Sequence, residues 1–130
     1  METKTTGYFN TIISEVIDFF SDVEYTGDYT PQRAILRINA TYKDHRVFIS
    51  ELISPDYRKY TFYILKDNYV VAGFDNSQDI RAIKLKFKKP PDNDIDRLIP
   101  HLHLKNKTVL ELTDEITLTD FINWIKVNIL

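Results

Sequence analysis

The feature that most constrains this chain is a series of alternating segments between residues 34 and 74. Side chains alternate over residues 34–42 and 47–53, a period of two that is typical of β-strands. Residues 59–65 and 69–74 form another pair of short segments, and several of these segments are apolar on both faces. The connections are short and polar, as in Lys43-Asp44-His45 and Lys66-Asp67-Asn68. Because turns this short join neighbouring antiparallel strands, the sequence predicts an antiparallel β-meander.

An amphipathic helix is predicted at each end of the chain. From Gly7 to Asp22, apolar residues recur at the spacing of three and four that one helix face requires. Thr5 or Thr6 is expected to cap its start. Near the C-terminus, Thr117 and Asp120 form a carboxylate variant of the capping box. These helices are expected to cover one face of the sheet and to leave the other partly open.

Composition fits a single folded unit. A length of 130 residues suits one domain, and eight Tyr and eight Phe against three Gly favour strands. We therefore predict an α+β fold, in which an antiparallel β-meander sheet packs with an N-terminal and a C-terminal α-helix, as one domain over residues 1–130.

Several functions are excluded by residues that the sequence lacks. No cysteine is present, which excludes disulfides, cysteine zinc sites and thiol catalysis. The three glycines form no phosphate-binding loop. No signal peptide is recognisable, and no apolar run approaches the ~20 residues of a membrane span. We expect a soluble, cytoplasmic protein without a membrane partner.

Charge is balanced overall but clustered locally. The 17 basic and 19 acidic residues give a net charge of −2, which creates no general attraction for nucleic acid. Within Ile80–Lys88, apolar residues alternate with lysines, which predicts a strand with a lysine-bearing face. The stripe of Lys84, Lys86, Lys88 and Lys89 is interpreted either as a solvated edge that resists aggregation or as a local polyanion contact.

The candidate functional residues centre on His101 and His103, which follow Pro100. In a strand, residues i and i+2 point to the same face, so both imidazoles would project into one place. Asp75-Asn76 ends the preceding strands, and we expect it beside the histidines at the edge of the sheet. We predict that Asp75 and at least one histidine share a shallow, partly exposed cleft on the open face, with the imidazoles directed outward.

The order of motifs also carries a resemblance. The chain contains, in order, Glu51, Tyr60-Thr61-Phe62-Tyr63, Phe74-Asp75-Asn76, His101-Leu102-His103 and a capped helix from Ile116. Over roughly residues 33–127 this resembles the TumE-type family, regarded as toxin components of type II toxin–antitoxin pairs. Members typically show Tyr-Asp-Asn, then His-Lys-His, then a Ser/Thr-Leu helix. Here Phe74 replaces the Tyr, Leu102 replaces the Lys, and the family's His-rich step after Asp-Asn is missing.

The resemblance implies a toxin that acts on RNA and is held by a cognate antitoxin protein. Metal-independent RNA cleavage without a cofactor needs a base, an acid and a cation for the phosphate. We assign the proton roles to His101 and His103, with Asp75 orienting an imidazole. The residues assigned to substrate binding are Lys84, Lys86 and Lys105 for phosphate, Tyr60 and Tyr63 for base stacking, and Asn76.

Other interpretations stay open. The missing family residues favour a non-catalytic interaction module, or a degenerate toxin held by a partner. A metal site built from His101, His103, Asp75 and Glu51 would instead support hydrolysis through bound water. Structural roles are also open: Asp75-Asn76 is a common turn pair, His101 could simply hydrogen-bond at a strand edge, and Glu51 could form an ion pair with Arg37 or Lys59.

Overall fold

A computed structural model of the chain describes residues 3–87 and 98–130. One seven-stranded sheet forms its centre, and each strand pairs antiparallel with the next along the chain. The strands are β1 (Ser21–Tyr29), β2 (Ala34–Tyr42), β3 (His45–Ile53), β4 (Arg58–Lys66), β5 (Tyr69–Asp75), β6 (His101–Leu104) and β7 (Val109–Leu112). The helices are α1 (Thr3–Phe19), α2 (Ile80–Phe87) and α3 (Leu118–Asn128). The predicted α+β class and antiparallel meander are confirmed.

Local turn chemistry explains why the meander forms. Lys43 and Asp67 adopt φ values of 55° and 53° in the tight turns before β3 and β5. Positive φ values in short hairpin loops match the right-handed twist of the paired strands. The β2 strand has its predicted bounds, and β3, β4 and β5 begin within two residues of theirs.

The helices α1 and α3 cover one face of the sheet, as expected. Alternate residues of the central strands point toward them and are buried: Leu36, Ile38, Val47, Ile49, Phe62 and Ile64. From α3, Phe121 stacks on Phe62 with ring centroids 5.5 Å apart. The capping box of α3 is confirmed, since the Thr117 side chain accepts from the Asp120 backbone and the Asp120 side chain accepts from the Thr117 backbone. Each large apolar side chain buried in this way stabilises the fold by about 1.5–3 kcal/mol.

Two boundaries at the N-terminal end differ from the prediction. The strand β1 was not predicted, although Val23, Tyr25 and Tyr29 alternate with polar residues; its residues are almost all exposed at the sheet edge. The helix α1 runs from Thr3 to Phe19, so Thr5 and Thr6 lie inside it and do not cap it. Within residues 3–87 and 98–130, no helix has the length and apolar character that crossing a membrane requires.

The predicted strand over Ile80–Lys88 is wrong, because residues 80–87 form α2. Asp79 caps this helix: its Oδ1 accepts from the backbone N–H groups of Arg81 and Ala82, at 2.8 and 3.4 Å. Ala82 and Ile83 pack with Ile99 in a small core of their own. That core lies on the open face of the sheet, near β7. Lys88 and Lys89 of the predicted stripe lie outside the described residues.

Candidate functional site

The register of β5 and β6 brings three titratable side chains together. Asp75 pairs with His101, and Gly73 pairs with His103; paired residues of antiparallel strands project to the same face. The Nε2 of His101 lies 3.0 Å from Oδ1 of Asp75, and the Nε2 of His103 lies 3.6 Å from Oδ2. The predicted proximity of Asp75 to the histidines is therefore confirmed. We call Asp75, His101 and His103 the cleft cluster.

The cleft cluster is buried, which corrects the expectation of outward-facing imidazoles. The exposed fractions are 1% for His101, 4% for His103 and 5% for Asp75. Two elements account for this: β7 continues the sheet beyond β6, and α2 packs on this end of the open face. The start of α2 also brings Asp79 close, with its Oδ2 3.8 Å from Nε2 of His101 and 3.9 Å from Nε2 of His103.

Hydrogen bonds fix the orientation of two members of the cleft cluster. Ser77 donates to Oδ1 of Asp75 from its backbone N–H at 3.0 Å and from its hydroxyl at 2.8 Å. The Tyr63 hydroxyl donates to Oδ2 at 3.2 Å. Nδ1 of His101 lies 2.6 Å from the carbonyl oxygen of Ile99, and because a carbonyl only accepts, Nδ1 carries the proton of this bond.

Burial and neighbouring charges shift the pKa values of these groups in different directions. Burial raises the pKa of Asp75, but His101 and the hydrogen bonds from Ser77 outweigh it, so the pKa is lowered. Burial lowers the pKa of His101, but Asp75 and the Ile99 carbonyl outweigh it, so the pKa is raised. For His103, burial prevails and the pKa is lowered. Neighbouring imidazoles with divergent proton affinities are typical of functional sites.

Above the cluster lies a cleft of about 600 Å³ on the open face of the sheet. Asp75 and His103 line it. Tyr63 forms a wall, because its ring lies over Gly73 so closely that a Cβ there would be 2.6 Å from the Tyr63 Cζ. Phe48, the cross-strand partner of Tyr63, also lines the cleft. The cleft therefore combines a polar floor with an aromatic side.

Arg81 and Lys107 bring positive charge to this cleft, and neither was assigned from the sequence. Arg81 donates to the carbonyl oxygen of Lys107 at 3.1 Å, and its Nη2 lies 3.4 Å from Nδ1 of His103 and 3.5 Å from Oδ2 of Asp79. The Nζ of Lys107 lies 5.1 Å from the centroid of the Tyr63 ring. One sequence signal for Arg81 was available. Asp79 is a favoured helix N-cap residue, which predicts a helix start there and places Arg81 in its first turn.

Two of the predicted substrate-binding residues have structural roles instead. Asn76 is buried, and its side chain accepts from the Tyr60 backbone N–H and donates to the Arg58 carbonyl, both at 2.9 Å. Tyr60 lies on the helix-covered face, where it is 1% exposed and stacks on Phe62. Neither side chain reaches the cleft.

The remaining predicted substrate residues fall in two groups. Tyr63 lines the cleft, as described above. Lys84 and Lys86 are exposed on α2, and Lys105 is exposed in the turn before β7, but none of these three lysines lines the cleft. Lys107, two positions after Lys105, lines the cleft. It therefore replaces Lys105 as the candidate phosphate-binding residue of this turn.

A second buried charge cluster lies on the helix-covered face of the sheet. Glu51 is fully buried, and its Oε1 accepts from the Tyr8 hydroxyl and from Nε of Arg58, both at 2.7 Å. The expected ion pair with Arg37 or Lys59 is wrong, because both of these residues alternate to the open face. We call Tyr8, Glu51 and Arg58 the helix-side cluster. Its position excludes Glu51 from any metal site with the histidines.

Two of the three departures from the TumE-type motif, the substitutions at Phe74 and Leu102, lie on the helix-covered face. Phe74 packs edge-on against Phe121 and Trp124, and Leu102 is its cross-strand partner. Neither substitution removes a polar group from the cleft. Comparison with protein-family models, curated proteins and solved structures finds no match for the chain. The resemblance therefore stays a prediction that rests on the motifs.

Proposed function

We propose that this chain is a toxin-like enzyme of the type II toxin–antitoxin kind and that it cleaves RNA in the cleft above Asp75 and His103. The observation that carries this proposal is the convergence of Asp75, His101 and His103 beneath a cleft that also holds Arg81 and Lys107. Cleavage beside a ribose 2′-hydroxyl requires groups that transfer protons and cations that stabilise the phosphate. Both kinds of group are present at this cleft.

The shape and lining of the cleft favour a single strand over a duplex. Phe48 and Tyr63 are cross-strand partners on the open face, and aromatic rings on an open sheet face stack well with unpaired bases. A base stacked on Tyr63 would bring its phosphate near Lys107, whose Nζ is 5.1 Å from the same ring. Since the net charge of −2 gives little long-range attraction, Arg81 and Lys107 would bind phosphate locally.

Purified protein and an unstructured single-stranded RNA test the proposal. Wild type should cleave the RNA, and His103→Ala should abolish cleavage, because His103 is the imidazole that lines the cleft. Lys107→Gln should weaken RNA binding. Its matched control is Lys105→Gln in the same turn but outside the cleft, which should bind RNA like wild type. Absence of cleavage by wild type in buffers with and without divalent ions, or full activity of His103→Ala, would contradict the proposal.

Growth assays separate the enzyme from a non-catalytic module. Expression of wild type should inhibit growth, and co-expression of the cognate antitoxin from the neighbouring gene should relieve it. His103→Ala should lose toxicity while still binding that antitoxin, because the substitution lies at the cleft floor. A module that acts only by binding would inhibit growth equally in both forms.

A further inference from the structure

Donor atoms from three side chains lie close together at the cleft floor, and a fourth side chain, Asp79, lies near them. Ligand atoms of Asp75, His101 and His103 all lie within 4.8 Å of one another. The Nε2 atoms of His101 and His103 lie 3.0 and 3.6 Å from the oxygens of Asp75, and 3.8 and 3.9 Å from Oδ2 of Asp79. Tetrahedral bonds of about 2.0–2.1 Å to a metal place neighbouring donors about 3.3 Å apart. The four nitrogen–oxygen separations, 3.0–3.9 Å, fall around that value, whereas the group as a whole spans up to 4.8 Å and would have to contract around an ion.

The orientation of His101 is that of a metal ligand. Its Nδ1–H donates to the Ile99 carbonyl at 2.6 Å, so in the neutral imidazole Nε2 carries the lone pair. Metal-binding histidines usually donate their other ring N–H to a carbonyl or carboxylate in this way. Nε2 is buried and has no hydrogen-bond partner of acceptable geometry, although the Asp75 carboxylate lies 3.0 Å away. Buried polar atoms in proteins normally have a partner, so a buried Nε2 without a hydrogen bond indicates a ligand that binds at this position.

Whereas the Ile99 carbonyl favours the metal-binding tautomer of His101, Arg81 favours the other tautomer of His103. A guanidinium only donates, so at 3.4 Å it favours a lone pair on Nδ1 of His103 and a proton on Nε2. Metal binding through Nε2 requires the other tautomer, and Arg81 would then have to move away. Its side chain is 53% exposed, so solvent is available to it. Arg81 also attracts Asp79, and it adds positive charge beside the site, so in all three respects it competes with a bound cation.

We infer that Asp75, His101 and His103 are the three protein ligands of a divalent transition-metal ion of the zinc type, with the Asp79 carboxylate near the site. Two imidazole nitrogens favour such an ion over magnesium or calcium, which prefer oxygen ligands. The cleft leaves one side of the site open, as in catalytic metal centres. The binding itself is independent of RNA; its catalytic consequence rests on the proposed function and would replace the metal-independent chemistry predicted from the sequence.

Metal titration of the untagged protein tests the inference. After treatment with a chelator, the protein is titrated with zinc in competition with a chromophoric chelator, and with cobalt(II), whose absorption bands report the coordination geometry. Wild type should bind one equivalent. Asp75→Asn and His103→Ala should each weaken binding by more than about 100-fold, because even losing an outer partner of a ligand typically costs 10–100-fold.

The third histidine provides a matched control. His45 lies 3.0 Å from Asp44 where β2 turns into β3, so His45→Ala removes an imidazole without touching the cleft cluster. It should bind zinc like wild type. If it weakens zinc binding as much as His103→Ala does, the ion binds elsewhere and the inference is wrong.

Arg81→Gln tests whether Arg81 competes with a bound cation. Since Arg81 is exposed, this variant should fold even if the variants at buried ligands do not. It should tighten zinc binding by about fivefold, as expected from removing one competing hydrogen bond. Unchanged or weaker binding in Arg81→Gln would contradict the arrangement at His103, and a wild type that binds no zinc would overturn the inference as a whole.

The two proposals fail in different ways. Zinc binding as described, without any RNA cleavage, would leave the metal site standing and remove the proposed function. RNA cleavage that continues at the same rate in excess chelator, by a protein that binds no zinc, would keep the proposed function and remove the metal site.

Discussion

The two faces of the sheet each bury a charged cluster, and the clusters differ in how their charges are balanced. The helix-side cluster joins Glu51 to Arg58 and Tyr8 through two contacts of 2.7 Å. Burial opposes the charge of Arg58, but Glu51 and Tyr8 outweigh it and raise the Arg58 pKa. The Arg58 guanidinium therefore stays charged at every physiological pH, and its contacts lie within the chain.

Within the cleft cluster, the Asp75 carboxylate is balanced by two imidazoles, a group type that changes charge near neutral pH, and the permanent cation Arg81 lies beside Asp79 and His103. Asp75 faces two imidazoles, and Asp79 adds a second carboxylate. Protons or a cation must complete such a set, and this dependence is typical of sites that exchange protons or bind ligands. The charges of the helix-side cluster are paired within the chain, whereas the balance of the cleft cluster depends on its two imidazoles.

Burial alone would not distinguish the two clusters. Each has buried atoms without a hydrogen bond: Oε2 of Glu51 and Nη2 of Arg58 on one face, and Nε2 of His101 on the other. On the helix-covered face, the other atoms of the same groups are bonded, since Arg58 also donates to Glu115 and to the Ile116 carbonyl. The nitrogen of His101 instead faces further donors beneath an open cleft. His101 itself does not line the cleft, but its neighbours Asp75 and His103 do.

The largest effect should come from breaking the helix-side cluster. Arg58→Met leaves the fully buried Glu51 charge with only the Tyr8 hydroxyl as a partner, and removing one member of a buried ion pair costs about 3–5 kcal/mol. We expect a loss of that size in the free energy of unfolding, measured by urea denaturation. The double variant Glu51→Gln/Arg58→Met should recover part of it. A loss below about 1 kcal/mol would mean that the contact between Glu51 and Arg58 contributes little to the stability of the native state.

A smaller loss of stability should follow Asn76→Ala. This residue has a structural role, whereas the neighbouring Asp75 is a proposed metal ligand. The Asn76 amide satisfies the Tyr60 N–H and the Arg58 carbonyl at 2.9 Å each, so its removal leaves two buried backbone groups unpaired, at a cost of about 2–3 kcal/mol. Zinc affinity per folded molecule should not change. If folded Asn76→Ala lost zinc binding as Asp75→Asn does, Asn76 would not have the purely structural role that its hydrogen bonds indicate.

The contrast between faces also explains what the sequence could predict. Alternation and polar turns are local signals, so the strands from Ala34 to Asp75 and the proximity of Asp75 to His101 were predictable. The two tyrosines assigned to base stacking are three positions apart in one strand, so the alternation of side chains puts them on opposite faces. Thr61 pairs with Asp75 on the open face, and Tyr60 therefore points to the helix-covered face.

The segment 80–87 could not be resolved by periodicity. Its eight residues fit a period of two as well as a helical period, and only tertiary packing of Ala82 and Ile83 decides between them. That single error concealed the burial of the histidines and the roles of Asp79 and Arg81. Lys107 was missed for a different reason: its direction depends on three successive residues with positive φ, Lys105, Asn106 and Lys107, which no local sequence pattern specifies.

An intermediate effect is expected at Gly73, where the cleft wall meets the sheet. A Cβ at this position would lie 2.6 Å from the Tyr63 Cζ, so Gly73→Ala must displace a ring that is held by its hydrogen bond to Asp75. We expect a stability loss of about 1–2 kcal/mol and weaker RNA binding. Adding Tyr63→Ser should restore stability relative to Gly73→Ala but not RNA binding. Wild-type stability and RNA affinity in Gly73→Ala would show that the ring moves freely and is not a fixed wall.

The smallest effect should be that of Tyr8→Phe, which removes the half-exposed hydroxyl of the helix-side cluster. Losing its bond to Glu51 should cost about 1 kcal/mol near neutral pH. Burial, and then the Glu51 charge, raise the pKa of Tyr8 above the usual value of about 10. The unfolded chain therefore releases this proton at a lower pH than the folded one, so the contribution is complete below pH ~10 and declines as the pH rises toward the folded pKa. Urea denaturation from pH 7 to 11 should show a constant difference between wild type and Tyr8→Phe that shrinks above pH ~10. A difference that grows in that range would mean that Tyr8 ionises more easily in the folded chain, and that Arg58 rather than Glu51 dominates its surroundings.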